Sequence, residues 1–258
     1  MAGSFLEALA AAHDWCESLG SASRQARHCR LVSDPGHPEI WAANHAASVR
    51  ASTAGDIAET LDDIEAAFAQ SPYRVVDTDA FTPPEFLAHL ALEDWQEQPA
   101  AILMALRGQP SPVGPAGLDI RVVESDADAA ELSRLHVLDA AESSHSAEIA
   151  EGLHQMMRTK AAAGRIFLVR VGGQARAYAL AVPAPGGFGF IDDVFTDPAF
   201  RRRGLASALV VHCARHLSGE GCETAFLTAR VSDSPKRIYA RLGFEPEMLV
   251  RRWVKTIA

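Results

Sequence analysis

A strand that runs out at Val194-Phe195-Thr196-Asp197-Pro198, then Arg201-Arg202-Arg203-Gly204, then an amphipathic helix: this succession restricts the fold more than any other stretch of the chain. The helix is read from Leu205, Leu209, Cys213 and Leu217, four apart on one side. A helix that starts directly behind a strand presents unsatisfied backbone N–H groups and the positive end of its dipole. Gly204 permits close backbone approach, Ala206 keeps the next turn uncluttered, and the arginines add positive charge. Such a corner suits a phosphate group held mainly by main chain. It is not a Walker loop, because no Gly-Lys-Ser/Thr follows, and the G-x-G-x-x-G dinucleotide pattern is absent. Taken alone, a basic run of this kind is a solvated helix start, so its meaning depends on what surrounds it.

The surrounding half alternates strands and helices. Ile120 to Val123 reads as a short strand, and Asp126 to Ala141 and Ala147 to Ala162 as helices, with Leu132, Leu135 and Leu138 on one face of the first. Strands from Ile166 to Val171 and Ala175 to Val182 flank Gly172-Gly173, a two-residue hairpin signal, and Phe188 to Thr196 extends the meander. After the helix from Leu205 to Leu217 comes a strand from Thr224 to Ala229. Ser234 and Pro235 then form an N-cap and first-turn pair for a short helix that Gly243 ends, and a last strand runs from Met248 to Val254. Helices falling among strands of one mixed sheet define an α/β fold.

The stretch from Gly108 to Gly117, with its prolines and glycines, cannot sit inside a helix or a central strand. It divides the chain into residues 1–107, a linker over 108–118, and residues 119–258. In the first part, Phe5 to Ala12 reads as an amphipathic helix, Ala54 to Phe68 and Pro83 to Gln96 as helices, and Tyr73 to Val76 and Ala101 to Leu106 as strands. The Phe86 to Leu106 ending echoes the closing helix, Gly-Phe and strand of the second half, a sign of internal duplication; chance similarity between two αβ units is the competing reading.

Bulk composition narrows the function classes. With 48% apolar and 22% charged residues, 258 residues form a packed fold rather than a disordered chain. A net charge of −9 argues against a general nucleic-acid binder, and no apolar run is long enough to span a bilayer. Cys16, Cys29, Cys213 and Cys222 show neither CxxC pairing nor metal-ligand spacing, so reduced thiols and no metal are expected. A cytoplasmic protein is expected, and the excess of arginine over lysine (Lys160, Lys236 and Lys255 alone) suggests a GC-rich bacterial genome.

Arg201-x-x-Gly204-x-Ala206 matches the R/Q-x-x-G-x-G/A pyrophosphate motif of the GNAT acetyltransferases, and Ile238-Tyr239-Ala240-Arg241-Leu242-Gly243-Phe244 resembles their L-Y-x-x-L-G-F signature downstream. Both motifs stand in order within Ile120 to Val254. The resemblance implies a GNAT fold that takes acetyl-CoA and transfers its acetyl group to a primary amine of a small molecule or peptide by direct attack in a ternary complex. It implies that backbone groups of Val194, Phe195 and Thr196 pair with the pantetheine arm, one N–H polarising the thioester carbonyl. Amides of Arg201, Arg202, Arg203, Gly204, Leu205, Ala206 and Ser207 would hold the pyrophosphate. Tyr239 would protonate the leaving thiolate; core packing is its alternative role. Asp192 is the candidate general base, since an acidic residue often occupies the matching strand position in aminoglycoside-acetylating members. On a regular strand Asp192 and Asp193 point to opposite faces, so one at most faces the cleft unless a bulge intervenes; the competing role for both is anchoring nearby arginines.

Two positions depart from the family pattern: Ser232 stands where Asn often contacts the cofactor arm, and Pro235 where Ala is usual. Serine retains hydrogen-bonding capacity, so an altered contact is expected there. The family usually lines its acceptor cleft near Glu142-Ser143-Ser144-His145, where His145 either binds substrate or is an incidental loop residue, and the acidic Glu142, Asp192 and Asp193 favour an amine acceptor. No phosphate motif precedes the linker: Arg50 is followed by Ala51, Ser52 and Thr53. The pattern around Trp41-Ala42-Ala43-Asn44, with the helix from Ala54, resembles the degenerate N-terminal domain of tandem GNAT proteins; a separate α/β cap is the alternative. A monomer or homodimer is expected. Two rival functions share these residues: a non-catalytic acyl-CoA-binding or sensor protein, and an acyltransferase using a longer acyl-CoA or a hydroxyl acceptor.

Overall fold

The structure is a computed structural model and describes residues 4–111, 115, 117–143 and 145–257. Ser144 and residues 112–114 and 116 of the proline/glycine stretch lie outside the described residues. In chain order the first elements are α1 (Phe5–Glu17), β1 (Ala22–Gln25), β2 (Arg30–Ser33), β3 (His45–Ala47), α2 (Ala54–Ala67), β4 (Tyr73–Thr78), α3 (Pro84–Leu92), β5 (Gln96–Glu97) and β6 (Ala101–Leu106). There follow β7 (Asp119–Val122), α4 (Asp126–Ser143), α5 (Ala147–Lys160), β8 (Arg165–Val171), β9 (Gln174–Ala184) and β10 (Phe188–Thr196). The last are α6 (Leu205–Gly219), β11 (Thr224–Arg230), α7 (Pro235–Leu242) and β12 (Phe244–Thr256). This is a mixed α/β fold.

The chain forms two compact units: one of Met1–Leu103, Arg230–Ser232 and Glu247–Ala258, the other of Met104–Ala229 and Asp233–Pro246. In the first unit the strands run β1-β2-β3-β4-β12, with β5 also on β12. β4 and the far half of β12 pair antiparallel from Arg251↔Thr78 to Thr256↔Tyr73. The core gathers Ile57, Ile64 and Phe68 from the α2 region, Phe86 and Leu90 from α3, and Trp95 and Trp253. Ser4 and Thr53 cap α1 and α2 with reciprocal capping boxes, Glu7 and Asp56 returning the bond.

Three features of this unit differ from the sequence reading. The helix expected over Pro83 to Gln96 ends at Leu92; Asp94 adopts φ 48°, which no helix continues through, and Gln96 lies in β5. α1 continues past Ala12 to Glu17. The strands β1, β2 and β3 were not anticipated.

In the second unit the strands run β11-β10-β9-β8-β7. Gly172 and Gly173 have φ of 62° and 82°, the left-handed pair a two-residue hairpin needs between β8 and β9. Register places Leu168 opposite Tyr178, so these two share a face and Phe167 points to the other. Phe167 meets His212 and His216 of α6, whereas Tyr178 bonds to Asp139 of α4. Helices α4 and α6 therefore cover opposite faces of the meander. Leu205, Leu209, Cys213 and Leu217 are all buried against it, as their spacing predicts. Ser234 occupies the N-cap position of α7, but in helical conformation and without a side-chain cap, contrary to expectation; Pro235 takes the first turn and Gly243, at φ 103°, ends the helix.

Candidate active site

The site begins where two parallel strands part. β10 and β11 pair at Phe188↔Thr224, Gly189↔Ala225 and Phe190↔Phe226, and pairing stops there. The rings of Phe190 and Phe226 stack with centroids 4.9 Å apart at that last rung. Beyond it β10 keeps β9 on its other side, but the register shifts: Asp192 faces Leu180 and Phe195 faces Tyr178. Two residues, Asp193 and Val194, thus oppose Ala179 alone, and Asp193 takes φ 50°. This is a β-bulge. Since Leu180 and Tyr178 share a face, the bulge returns Asp192 and Phe195 to that face although they are three residues apart.

That face carries a set of polar groups. Asp192 Oδ2 lies 3.3 Å from Nζ of Lys160, the buried last residue of α5. The Tyr178 hydroxyl donates to Asp139 Oδ2 at 2.8 Å. Burial chiefly, with the negative charges of Asp139, Asp193 and Asp192, drives the Tyr178 phenol far above its ordinary range. Burial, aided by the charge of Glu142, also raises the Asp139 carboxyl against the opposing hydrogen bond from Tyr178. His136 stacks edge-on against both Tyr178 and His154, and burial with the charge of His154 lowers it to about 3, so it stays a neutral imidazole.

Tyr239 sits on α7, 7% exposed, its ring 6.3 Å from Phe244. Burial and the charge of Asp192 push its phenol up to about 12. The two residues singled out from sequence as acid and base therefore lie within electrostatic reach of one another. The partner of Asp192 is a lysine rather than an arginine.

After β10 the chain makes a 3₁₀ turn, Pro198–Phe200, in which Asp197 accepts from the Ala199 N–H and from Arg176 Nη1 at 3.0 Å. The Arg176 and Arg203 guanidiniums lie 4.1 and 4.6 Å over the Phe200 ring, bracing the turn by cation–π contact. Arg201 donates through Nε to the Thr196 carbonyl and forks onto the Glu142 carboxylate at the end of α4. Its side chain is thus already committed. Arg202 at φ 63° and Gly204 at φ 79° turn the backbone left-handed twice before α6, and no side chain caps the helix. The helical ladder opens with the Ala208 N–H on the Gly204 carbonyl, so the N–H groups of Leu205, Ala206 and Ser207 precede it. This concave run of amides suits an anion.

Ser232 is exposed in the connection between β11 and α7, and His145 is exposed just beyond α4. Sequence reasoning did not foresee Lys160, Asp139 and Tyr178. Two of these left a trace: Asp139 follows Leu132 and Leu135 by seven and four positions, on the buried stripe of α4, and Lys160 closes a helix whose Met156 and Met157 are buried. A charge on an apolar stripe implies a partner.

Among known proteins, the family model described as "Acetyltransferase (GNAT) family" matches residues 129–244, so over that segment the chain is similar to the GNAT acetyltransferases. A GCN5-related N-acetyltransferase from Kribbella flavida superposes with a TM-score of 0.75 at 19% identity, covering 99% of this chain and 96% of its own. A functionally unknown conserved protein from Staphylococcus epidermidis gives 0.71 at 15% identity, covering 93% and 96%. A tandem GNAT protein from the clavulanic acid biosynthesis pathway gives 0.61 at 17% identity, covering 88% of this chain and 78% of its own. At these identities the likeness is one of fold. A comparison with the curated proteins returned no match. Among the described residues no helix is long and apolar enough to cross a membrane, and no group of His, Cys, Asp and Glu could hold a metal ion.

Proposed function

We propose that this protein transfers the acetyl group of acetyl-CoA to a primary amine of a small molecule or peptide, by direct attack in a ternary complex, in the cytoplasm. The observation that carries this reading is the joint presence of the parted β10/β11 pair, the bulge at Asp193 and the uncapped α6 start behind Gly204. Acetyl-CoA supplies a thioester whose carbonyl carbon is open to attack. The edge of β10 from Val194 to Thr196 lies beyond the last rung to β11 and offers main-chain groups to the pantetheine arm, including an N–H for the thioester carbonyl. Amides from Arg201 to Ser207 hold the pyrophosphate, while Arg202 and Arg203, both exposed, add charge.

An amine arrives protonated and must lose a proton before it attacks. Asp192 or Asp193 takes that proton, directly or through water, and the pairing with Lys160 holds Asp192 in place. The buried Tyr239 phenol, still protonated at neutral pH, gives its proton to the departing thiolate. The carboxylates Asp139, Asp192 and Asp193 around Tyr178 draw a cationic acceptor to this face. The first unit we take to be a degenerate GNAT-like domain without a phosphate loop, and the second unit to be the catalytic domain.

Calorimetry with acetyl-CoA on the parent and on Gly204→Glu tests the reading. The left-handed φ at 204 strains any side chain, and a carboxylate there repels a pyrophosphate. The expected outcome is saturable binding by the parent that weakens by at least about 100-fold in the folded variant. A panel of amines then reads transfer as free thiol released. Absence of acetyl-CoA binding by the parent removes the proposal, and binding without turnover on any amine makes the protein an acyl-CoA sensor.

A further inference from the structure

Within the second unit, β7 and α4 meet at a corner over residues 123–125, beside the end of α5 and the start of β8. The Val123 N–H donates to the Ile166 carbonyl at 2.9 Å, which carries the β7–β8 pairing one step past Val122↔Phe167. Between this corner, α4 and the end of α5 lies an open cavity of about 290 Å³. That is the small end of the range for ligand pockets. Of the residues lining it, His154 alone also touches the acyl-transfer face, where its ring stacks edge-on against His136.

The charges around the cavity form two unpaired sets. Glu124 and Asp126 are exposed on the β7–α4 corner. Arg158, in the last turn of α5, and Arg165, the first residue of β8, are exposed on the other side of the chain's turn. Arg165 donates to the carbonyl of its neighbour Gly164, and the side chains of Glu124, Asp126 and Arg158 make no hydrogen bond or ion pair. Asp128, by contrast, turns back to accept from the Glu124 and Ser125 N–H groups and from Arg170, so the start of α4 is already capped.

Opposite charges that share a cavity attract one another, and pair where their groups can meet. No ion pair joins these two sets, so a gap separates them. Burial chiefly, against the charge of Glu151, keeps His154 neutral, and two carboxylates are left to balance two guanidiniums. The floor between them is apolar: Val123, Ala129, Leu132 and Ile166. An uncharged ligand answers neither set, and a singly charged one answers one set while leaving the other bare. A zwitterion answers both. Its carboxylate takes an arginine fork and its ammonium meets Glu124 and Asp126. In so small a space the two ligand charges must be close together, and the remainder must suit an apolar floor.

We infer that the second unit binds a free aliphatic α-amino acid, as its zwitterion, in the cavity between the β7–α4 corner and the end of α5. This site stands whether or not the protein transfers acetyl groups, because neither the β10 edge nor the α6 start takes part in it.

L-Leucine is the probe, with leucinamide, which lacks the carboxylate, and N-acetyl-leucine, which lacks the ammonium, as controls. The full chain is titrated by calorimetry without acetyl-CoA, and the carbon-bound ring protons of His154 are followed by NMR. The expected result is saturable binding of leucine with displacement of the His154 resonances, and binding weaker by at least about tenfold for either control. Arg158→Gln and Glu124→Gln should each weaken leucine binding by a similar factor at an unchanged melting temperature, since neither side chain has a partner to lose. Asp192→Asn should bind leucine as the parent does. No binding of leucine, equal binding of a singly charged control, or equal binding by Arg158→Gln overturns the inference and leaves four solvated charges. Binding lost in Asp192→Asn but kept in Arg158→Gln overturns it too, by moving leucine to the acceptor face. If a variant does not fold, the two controls on the parent decide.

Discussion

Tyr239 and Asp77 show how burial sets the work a single ionisable group can do. The Tyr239 phenol, raised to about 12, remains a proton donor through about pH 10, where an exposed tyrosine is half ionised. Tyr239→Phe is therefore expected to lower kcat by about 100-fold while leaving acetyl-CoA affinity and melting temperature close to the parent values. The pH profile of kcat/KM should show no falling limb from this phenol below about pH 10. An equal loss of affinity and stability would make Tyr239 a packing residue. Asp77 shifts the other way: burial alone would raise it, but the charge and hydrogen bonds of Arg252 outweigh burial and lower it. A carboxyl depressed on folding stabilises above its unfolded value, about pH 4, and the contribution vanishes as pH falls through the lower folded value. Asp77→Asn should cost about 3 kcal/mol at neutral pH, by stranding Arg252, and the deficit should shrink on acidification across that window. Urea denaturation at several pH values measures it.

At the scale of elements, close approach of backbone to backbone is a strict requirement. A Cβ on Gly164, just before β8, would lie 2.2 Å from the Ala181 carbonyl oxygen and 2.9 Å from the Val182 Cα, so the strand itself would have to move. Gly164→Ala should destabilise by about 2 kcal/mol or more. Gly219, ending α6, has nothing within 4 Å, and Gly219→Ala should be neutral or stabilising by up to about 1 kcal/mol; paired thermal melts give both signs at once. Elements whose periodicity reports one buried face were legible in the sequence: α6, with its four-apart stripe, and β10, whose bounds match the expected Phe188 to Thr196. β1 was not, because all four of its residues are exposed, and β3 was not, because three residues buried on both faces carry no alternation. α3 was overrun because apolar spacing continues through Leu92, 82% exposed, to Trp95. Within the site, the Arg201–Gly204 turn could be read because its chemistry is contiguous. The bulge could not, because Asp193 takes a left-handed φ without a glycine to announce it. Nor could the Lys160–Asp192 and Tyr178–Asp139 contacts, whose partners are 32 and 39 residues apart.

At the scale of the molecule, the units are not consecutive halves of the chain. The first borrows Glu247–Ala258, whose strand pairs with β4, brings Arg252 onto Asp77 and carries Trp253 into the core. A fragment ending at Arg107 should therefore lack cooperative unfolding and slow amide exchange, and adding residues 244–258 as a separate peptide should restore both. Native-like exchange in the fragment alone would show that β12 is dispensable. The same arrangement bears on biosynthesis. A ribosome releases more than a hundred residues of the second unit before it delivers the strand that completes the first. The early polypeptide must wait with β4 exposed along one edge, a template for any passing strand. Its protection during translation falls to chaperones or to speed of elongation, and a pause in reading the codons between β6 and β12 would lengthen the period in which nascent chains pair with one another instead of with themselves.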